Sequence, residues 1–305
     1  MQRFLPSKLA RAALASLALV GVPFIPSLNA ATVVEWGGDY VTGYQAFTAG
    51  TPSSGAGWAT YHYSNTVYSD ASALAISPTG PTFYGALSVV NGSGTGTADF
   101  AKTDSRFGIQ NGSPDSIRFG VKTSADSGTV TMRGLAFFKK EDFLNGGSNG
   151  TVNFSEGGSL SLNVSSLLGE ATQVRLAVYA LVGETWGWYL SEGNRTSSGT
   201  LTVSNAGLAN WAPYVVTTTP SSLGLNAAPT TYNVSGASFT EIGAFGFYFT
   251  GRSAATLNNT ATMFATSYQV NATVIPEPGV AMLSIGGLGL LTARRFLGSS
   301  FRITP

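Results

Sequence analysis

The sequence predicts an all-β protein, built as an antiparallel β-sandwich, and three observations lead to this prediction. Apolar and polar residues alternate with period two through most of the chain between residues 31 and 275, as in strands with one buried face. Glycine and asparagine collect between the apolar runs, where turns need residues that accept positive φ. No 3.6-residue period persists in the same region, so we expect no long helix there.

Three segments show the alternation most clearly. Each places an apolar row on one side of a strand and the intervening residues on the other, which is the pattern of an antiparallel sheet with one buried face. The rows are Ile117, Phe119 and Val121; Val174, Leu176, Val178 and Ala180; and Phe245, Phe247 and Phe249.

Turn signals separate these runs at Asn111-Gly112, Asn145-Gly146-Gly147 and Glu156-Gly157-Gly158. We predict one helical turn, Lys139 to Leu144, and a long loop from Thr217 to Thr231. Many short strands with glycine-rich turns predict two packed sheets. Strand order does not follow from the pattern, so a jelly roll of the concanavalin type and other sandwiches both stay open. A single domain is favoured, and a separate subdomain in the early half is the alternative.

The amino-terminal residues 1–30 have the pattern of a secretory signal peptide. Arg3, Lys8 and Arg11 form a positive start, and the apolar core runs from Ala12 to Val22. Prolines then break the segment before the small residues that a signal peptidase accepts. We predict cleavage after Ala30 and therefore an exported protein.

The last thirty residues, 276–305, form a second distinctive segment. Pro276, Glu277 and Pro278 precede an apolar stretch over residues 279–293, and Arg294 and Arg295 follow it. The cationic pair resists crossing a bilayer that the apolar stretch favours. The stretch is short for a full span of about 20 residues, so we predict a transmembrane-like helix that anchors the chain transiently. The alternative is a buried terminal helix of the globular body.

This ordered tail resembles that of the PEP-CTERM family of exported bacterial proteins, whose carboxyl end carries a Pro-Glu-Pro motif, a membrane-like segment and a basic cluster. The resemblance implies a Gram-negative host that makes exopolysaccharide. It also implies that an exosortase cuts the tail near Pro276, Glu277 and Pro278, which would make these residues substrate and not catalyst. The β-sandwich would then occupy residues 31–275.

Removal of both terminal segments changes the charge of the protein. The whole chain carries 16 basic and 15 acidic residues; six basic residues and one acidic residue leave with the termini, so the body has ten and 14 and a formal charge of −4. Such a body offers no cationic surface that would release counterions from nucleic acid. We therefore expect no nucleic-acid partner.

The residue types needed for metal centres and for thiol chemistry are scarce. The chain has no cysteine and one histidine, His62, so thiolate nucleophiles and multi-histidine metal sites are excluded. We expect neither a metal nor another cofactor. An exported protein without disulfides must gain its stability from buried area, and the body is long enough to provide it.

Aromatic residues late in the chain are the strongest candidates for a binding site. Trp186 and Trp188 lie two apart, so on a strand they share a face with their Cα atoms about 6.5 Å apart. Such a pair, joined by Trp211 and Tyr214, would give sugar rings a flat surface for stacking. The other reading places the tryptophans in the core of the inner sheet, with Tyr189 outside, and it is the one favoured by the area of about 150 to 250 Å² that each buried aromatic residue removes from water.

Catalysis has less support in the sequence. Two carboxylates, Glu184 and Glu192, flank the tryptophan pair, but eight strand positions would separate them by about 26 Å, too far for glycoside hydrolysis. We therefore expect no catalytic residues and no enzyme activity. The expected function is an envelope or extracellular-matrix protein that associates non-catalytically with exopolysaccharide, and the alternative is a secreted glycan-cleaving β-sandwich enzyme.

Overall fold

The computed structural model describes the chain as an all-β protein with antiparallel sheets. The described residues are 29–37, 45–46, 60–61, 67–68, 84–91, 96–97, 103–110, 113–114, 116–123, 130–219, 222–253 and 260–276.

The first sheet contains eight strands, arranged around the longest strand of the fold. Its strands are β1 (Ala30–Gly37), β2 (Gln45–Ala46), β7 (Thr103–Gln110), β8 (Ser116–Thr123), β10 (Gly150–Asn153), β11 (Ser159–Leu168), β14 (Gly199–Val203) and β20 (Thr260–Pro276). The order is β14-β11-β20-β8-β7-β2, and β1 and β10 also pair with β20. One central strand therefore joins segments from both ends of the chain.

The second sheet also contains eight strands. They are β5 (Tyr84–Asn91), β6 (Gly96–Thr97), β9 (Val130–Lys139), β12 (Glu170–Val182), β13 (Thr185–Arg195), β15 (Asn210–Tyr214), β18 (Val234–Ser235) and β19 (Phe239–Ser253). The order is β18-β15-β13-β12-β19-β9-β5-β6. The three predicted alternating strands are confirmed as β8, β12 and β19.

Two short hairpins and three 3₁₀ turns complete the described elements. The hairpins are β3 (Thr60–Tyr61) with β4 (Val67–Tyr68), and β16 (Val216–Thr219) with β17 (Ser222–Leu225); the turns are Lys140–Asp142, Gly147–Asn149 and Gly236–Ser238. The predicted helical turn is thus confirmed. The prediction of a loop from Thr217 to Thr231 is wrong over its first half, because Val216 pairs with Leu225 and the ladder continues to Thr219 and Ser222.

The two sheets pack face to face over one hydrophobic core, which makes the protein a β-sandwich. Leucines and valines of β11 and apolar residues of β20 from the first sheet meet the predicted rows of β12 and β19 from the second. Phe119 of β8 reaches across the core to the second sheet. Its ring stacks on Phe249 with centroids 5.9 Å apart, and a Cβ at Gly134 would lie 2.2 Å from it. Glycine at this position leaves the space that the ring occupies.

Part of the outer face of the second sheet is buried as well, where the sequence predicts a solvated face. All residues from Val174 to Ala180 of β12 are buried, including those between the predicted apolar row. The cause is a second, smaller cluster that packs outside the sheet against the region of β17. We call it the outer cluster; its buried members are Leu135, Phe137, Ala177, Tyr179, Trp188, Leu190, Tyr214, Leu225, Ala244 and Tyr248.

The two terminal segments fall almost entirely outside the described residues. The predictions that lie outside the described residues concern residues 1–28, Glu277, Pro278, the apolar stretch 279–293, Arg294 and Arg295. Pro276 is the last residue of β20, is exposed and pairs with Gly150. Among the residues that the structure describes, no helix has the length and apolar character needed to cross a membrane.

Candidate functional site

Trp186 is an exposed aromatic residue on the outer face of the second sheet, which is the face that carries the outer cluster. It lies at the start of β13, just after the turn at Gly183, and 39% of its surface is accessible. Its ring stacks on Tyr179 of β12, with centroids 5.3 Å apart and planes 14° apart. One face of the indole is therefore held against the protein, and we name this pair the Trp186–Tyr179 stack.

Buried aromatic rings support the stack from behind. Tyr179 contacts Trp188 at 5.4 Å, and Trp188 contacts Phe137 of β9 at 5.1 Å. Only 4% of Trp188 is exposed, so its ring has no free face for a ligand. Trp186 and Trp188 share a face of the strand as predicted, but Trp188 belongs to the support and not to the surface.

Tyr214 is a structural member of the same cluster. It pairs with Trp188 across β13 and β15, is 5% exposed, and its ring lies 5.2 Å from that of Tyr248. Both tyrosine hydroxyls donate to the carbonyl oxygen of Asn226, at 2.9 and 3.0 Å. Arg133 donates to the carbonyl of Leu225 at 3.0 Å. These bonds hold the segment that follows β17 on the outer cluster.

Trp211 lies on the opposite face of the sheet, in the main core, and this separates it from the other three candidates. It is fully buried, its Nε1 donates to the carbonyl of Ala206 at 3.2 Å, and its ring stacks on Phe154 at 6.2 Å. The structure therefore does not place Trp211 on a glycan-stacking surface. Trp211 and Tyr214 are three apart on β15, and an odd spacing puts two strand residues on opposite faces.

Tyr189 does not lie outside the core, where the reading with buried tryptophans placed it. It points into the main core, where its ring lies 5.0 Å from Phe239, while Trp188 points outward. The choice between the faces was open because each face of β13 carries at least one large aromatic residue.

The tyrosine side chains around the Trp186–Tyr179 stack carry no charge. Burial raises the pKa of Tyr179, and it raises the pKa of Tyr248 to about 12. Both phenols are therefore neutral at ordinary pH. Lys140, which follows β9, and Glu241 of β19 form an ion pair at 2.5 Å.

A concave feature that the sequence did not predict lies on the outer face of the first sheet. This polar groove encloses about 400 Å³. Its lining includes Glu35 of β1, Ser161 and Asn163 of β11, and Thr266, Ser267 and Gln269 of β20. A signal was present, since polar residues alternate with apolar ones in β11 and β20. Their assembly into one surface depends on pairing between distant parts of the chain.

The carboxylates considered for catalysis are not brought together. Glu184 precedes β13 and Glu192 lies within it, with a continuous strand between them, and Glu192 accepts a hydrogen bond from Asn210 at 3.0 Å. Over the described ranges, no group of three or more histidine, aspartate or glutamate side chains lies close enough to hold a metal ion.

Comparison with known proteins leaves the chain without an assigned family. No protein-family model and no curated protein matches it. Among solved structures, one described as the structure of PfGH50B aligns at a TM-score of 0.25 with 12% identity, over 57% of this chain and 22% of that one. An exo-beta-agarase aligns at 0.24 with 10% identity, over 58% and 23%. The chain thus spans less than a quarter of these proteins, and likenesses this weak carry no argument about its activity.

Proposed function

We propose that the protein is an exported component of the envelope or extracellular matrix of a Gram-negative bacterium that associates non-catalytically with exopolysaccharide. Signal peptidase would remove residues 1–30, and an exosortase would process the tail at Pro276, Glu277 and Pro278 after transient anchoring through residues 279–293. Within the all-β class, we propose a jelly roll of the concanavalin type for the sandwich.

The observation that carries the association with glycan is the Trp186–Tyr179 stack. An exposed indole normally costs free energy in water, and its fixed orientation means that little side-chain entropy is lost when a ligand covers it. The free face of a flat aromatic ring is complementary to the apolar C–H face of a sugar ring. Because the neighbouring tyrosines are neutral, the surface suits an uncharged sugar residue.

The exposed area of the Trp186 side chain determines how much affinity for a sugar we expect Trp186→Ala to lose. If a sugar ring covers most of the exposed 39%, on the order of 100 Å² of indole leaves the water, which corresponds to roughly 2 kcal/mol before ordering costs. We therefore expect Trp186→Ala to weaken binding about tenfold.

The test is calorimetric titration of the full-length chain with the exopolysaccharide fraction of the bacterium that produces it. Leu208→Ala is the matched control, because Leu208 is 78% exposed and apolar but lies outside the stack. The proposal predicts weaker binding for Trp186→Ala and parental binding for Leu208→Ala. Equal affinities for parent and Trp186→Ala, or no binding by the parent, would contradict it.

A further inference from the structure

We infer that the polar groove on the first sheet is a second glycan site, which takes a neutral sugar residue through hydrogen bonds and not through aromatic stacking. The inference rests on the proposed function for the source of the glycan. Its own support is a set of polar side chains that the sheet aligns along one concavity, the central ones without a partner among the described residues.

The sheet arranges these side chains in rows across adjacent strands. Gln269 of β20 lies between Ser161 of β11 and Glu35 of β1, and Ser267 lies between Asn163 and Gly37. Neighbouring strands are about 4.8 Å apart, and same-face residues along a strand are about 6.7 Å apart. The hydroxyl, amide and carboxylate groups therefore form a compact grid on one surface.

A β-bulge in β20 adds a further hydroxyl to this grid. Asn163 pairs with Ser267 and Val164 pairs with Ala265, so Thr266 is the extra residue. The Thr266 hydroxyl accepts a hydrogen bond from the Asn163 amide at 2.9 Å, on the groove side of the sheet. Bulges of this kind redirect side chains and occur frequently next to functional sites.

Gly37 keeps the floor of the groove open on the β1 side. A Cβ built on it would lie 3.1 Å from the Cβ of Ser267, so any larger side chain would press against the groove lining. Glycine at a site of close approach is expected where another backbone or a ligand comes near.

The central groups of the groove differ from their neighbours in having no partner among the residues that the structure describes. Above them on the same face, the Thr32 hydroxyl donates to Asn271 at 2.8 Å, and the Asn271 amide donates to Ser159 at 3.0 Å. The side chains of Ser161, Ser267, Gln269 and Glu35 make no hydrogen bond or ion pair with any described residue. The rim is thus fixed by internal bonds while the centre keeps its donors and acceptors for a ligand.

The chemistry of the lining selects a neutral polyhydroxylated ligand. Hydroxyl and amide groups donate and accept, as sugar hydroxyls do, and Glu35 adds a charged acceptor. A metal ion would find one carboxylate, and an acidic sugar would meet Glu35 without a lining cation. A volume of about 400 Å³ lies within the range of small-molecule sites, which is about 300 to 1,000 Å³.

The test uses the full-length chain and fragments of the same exopolysaccharide fraction. The fragments are produced by mild acid hydrolysis and separated into neutral and anionic pools by anion exchange. Binding of each pool is measured by calorimetry, and the contact region is mapped by hydrogen–deuterium exchange of the protein with and without the neutral pool.

Two variants change the groove and one serves as a matched control. Ser267→Ile fills the groove and removes a hydroxyl, and Gln269→Leu removes the amide at nearly constant size; both positions are exposed in β20. Thr202→Ile is the control, because Thr202 is exposed on the same face, pairs with Ser161, and is not part of the lining. β-Branched residues are well tolerated in strands, and far-ultraviolet circular dichroism checks the fold of each variant. Gln269→Leu keeps the test decisive if Ser267→Ile does not fold.

We expect both groove variants to bind the neutral pool at least tenfold more weakly, with Thr202→Ile at the parental affinity and exchange protection in β11 and β20. Unchanged affinity in the groove variants, or binding confined to the anionic pool, would overturn the inference. If only Trp186→Ala lowers the affinity, the groove inference is wrong and the proposed function stands. If the parent binds neither pool nor the intact polymer, the proposed function itself fails.

Discussion

A comparison of the stability of Trp188→Ala with that of Trp186→Ala distinguishes a buried supporting ring from a surface ring. The two residues lie two apart on one strand. Trp188 is 4% exposed and its ring contacts both Phe137 and Tyr179. Trp186 is 39% exposed and makes one ring contact, with Tyr179. The two substitutions are chemically identical, so any difference in the free energy of unfolding reports the difference in environment.

The structure sets the size of that difference. Truncating a buried tryptophan to alanine costs about 3–5 kcal/mol, since the apolar transfer term and the cavity term add. For Trp186 the buried part is about three fifths of the side chain, the lost stack contributes about 0.5–1.5 kcal/mol, and water fills the space that is left. We therefore expect about 1–2 kcal/mol for Trp186→Ala and about 3–5 kcal/mol for Trp188→Ala.

The assay is urea-induced unfolding of the full-length chain, followed by far-ultraviolet circular dichroism because both variants alter the fluorescence. Leu208→Ala, at a largely exposed position, is expected to change stability by less than about 0.5 kcal/mol. Equal losses for the two tryptophan variants, or a loss below about 1 kcal/mol for Trp188→Ala, would refute the packing described for the outer cluster.

Two further predictions concern pH and processing. Burial raises the pKa of Tyr248 to about 12 in the folded protein, against about 10 when unfolded, so the stabilisation is complete below pH 10 and is lost as pH rises to 12. We expect Tyr248 to contribute roughly 2–3 kcal/mol of the loss seen in unfolding experiments over this range, measured as the shallower dependence in Tyr248→Phe; an equal slope would contradict the assignment. In the second, mass spectrometry of the protein from its producing bacterium is expected to find a mature amino terminus at Ala31 and loss of the tail beyond Pro278. The complete polypeptide inside cells would contradict export.

The strands of the main core could be predicted because their apolar periodicity is a local property. The rows that begin at Ile117, Val174 and Phe245 occupy strands, and those of their apolar side chains that the structure describes lie between the sheets, as the period-two pattern requires. Turn chemistry was equally readable, since Asn145 and Gly146 both adopt positive φ.

The face of each aromatic residue in the candidate site could not be predicted, because burial on the outer face depends on a distant segment. Leu225 and Asn226 lie on Tyr214 and Tyr248, so the outer face of the sheet is buried there and the period-two pattern no longer separates a buried row from a solvent-facing one. The odd spacing of Trp211 and Tyr214 did contain the information that they face opposite ways.

The polar groove could not be predicted from any single segment of the sequence, for a different reason. Ser161 and Gln269 lie more than 100 residues apart, and each resembles an ordinary solvent-facing strand position. Only the pairing of β1 and β11 on either side of β20 brings the three strands together. Loop closure over such separations is decided by the whole fold, not by the propensity of any one segment.

Titration of the full-length chain with its own exopolysaccharide fraction, with the reducing ends in the solution assayed afterwards, tests the central claim most directly. Non-catalytic association predicts saturable binding and no increase in reducing ends. The absence of binding, or the steady release of reducing sugar, would contradict the account.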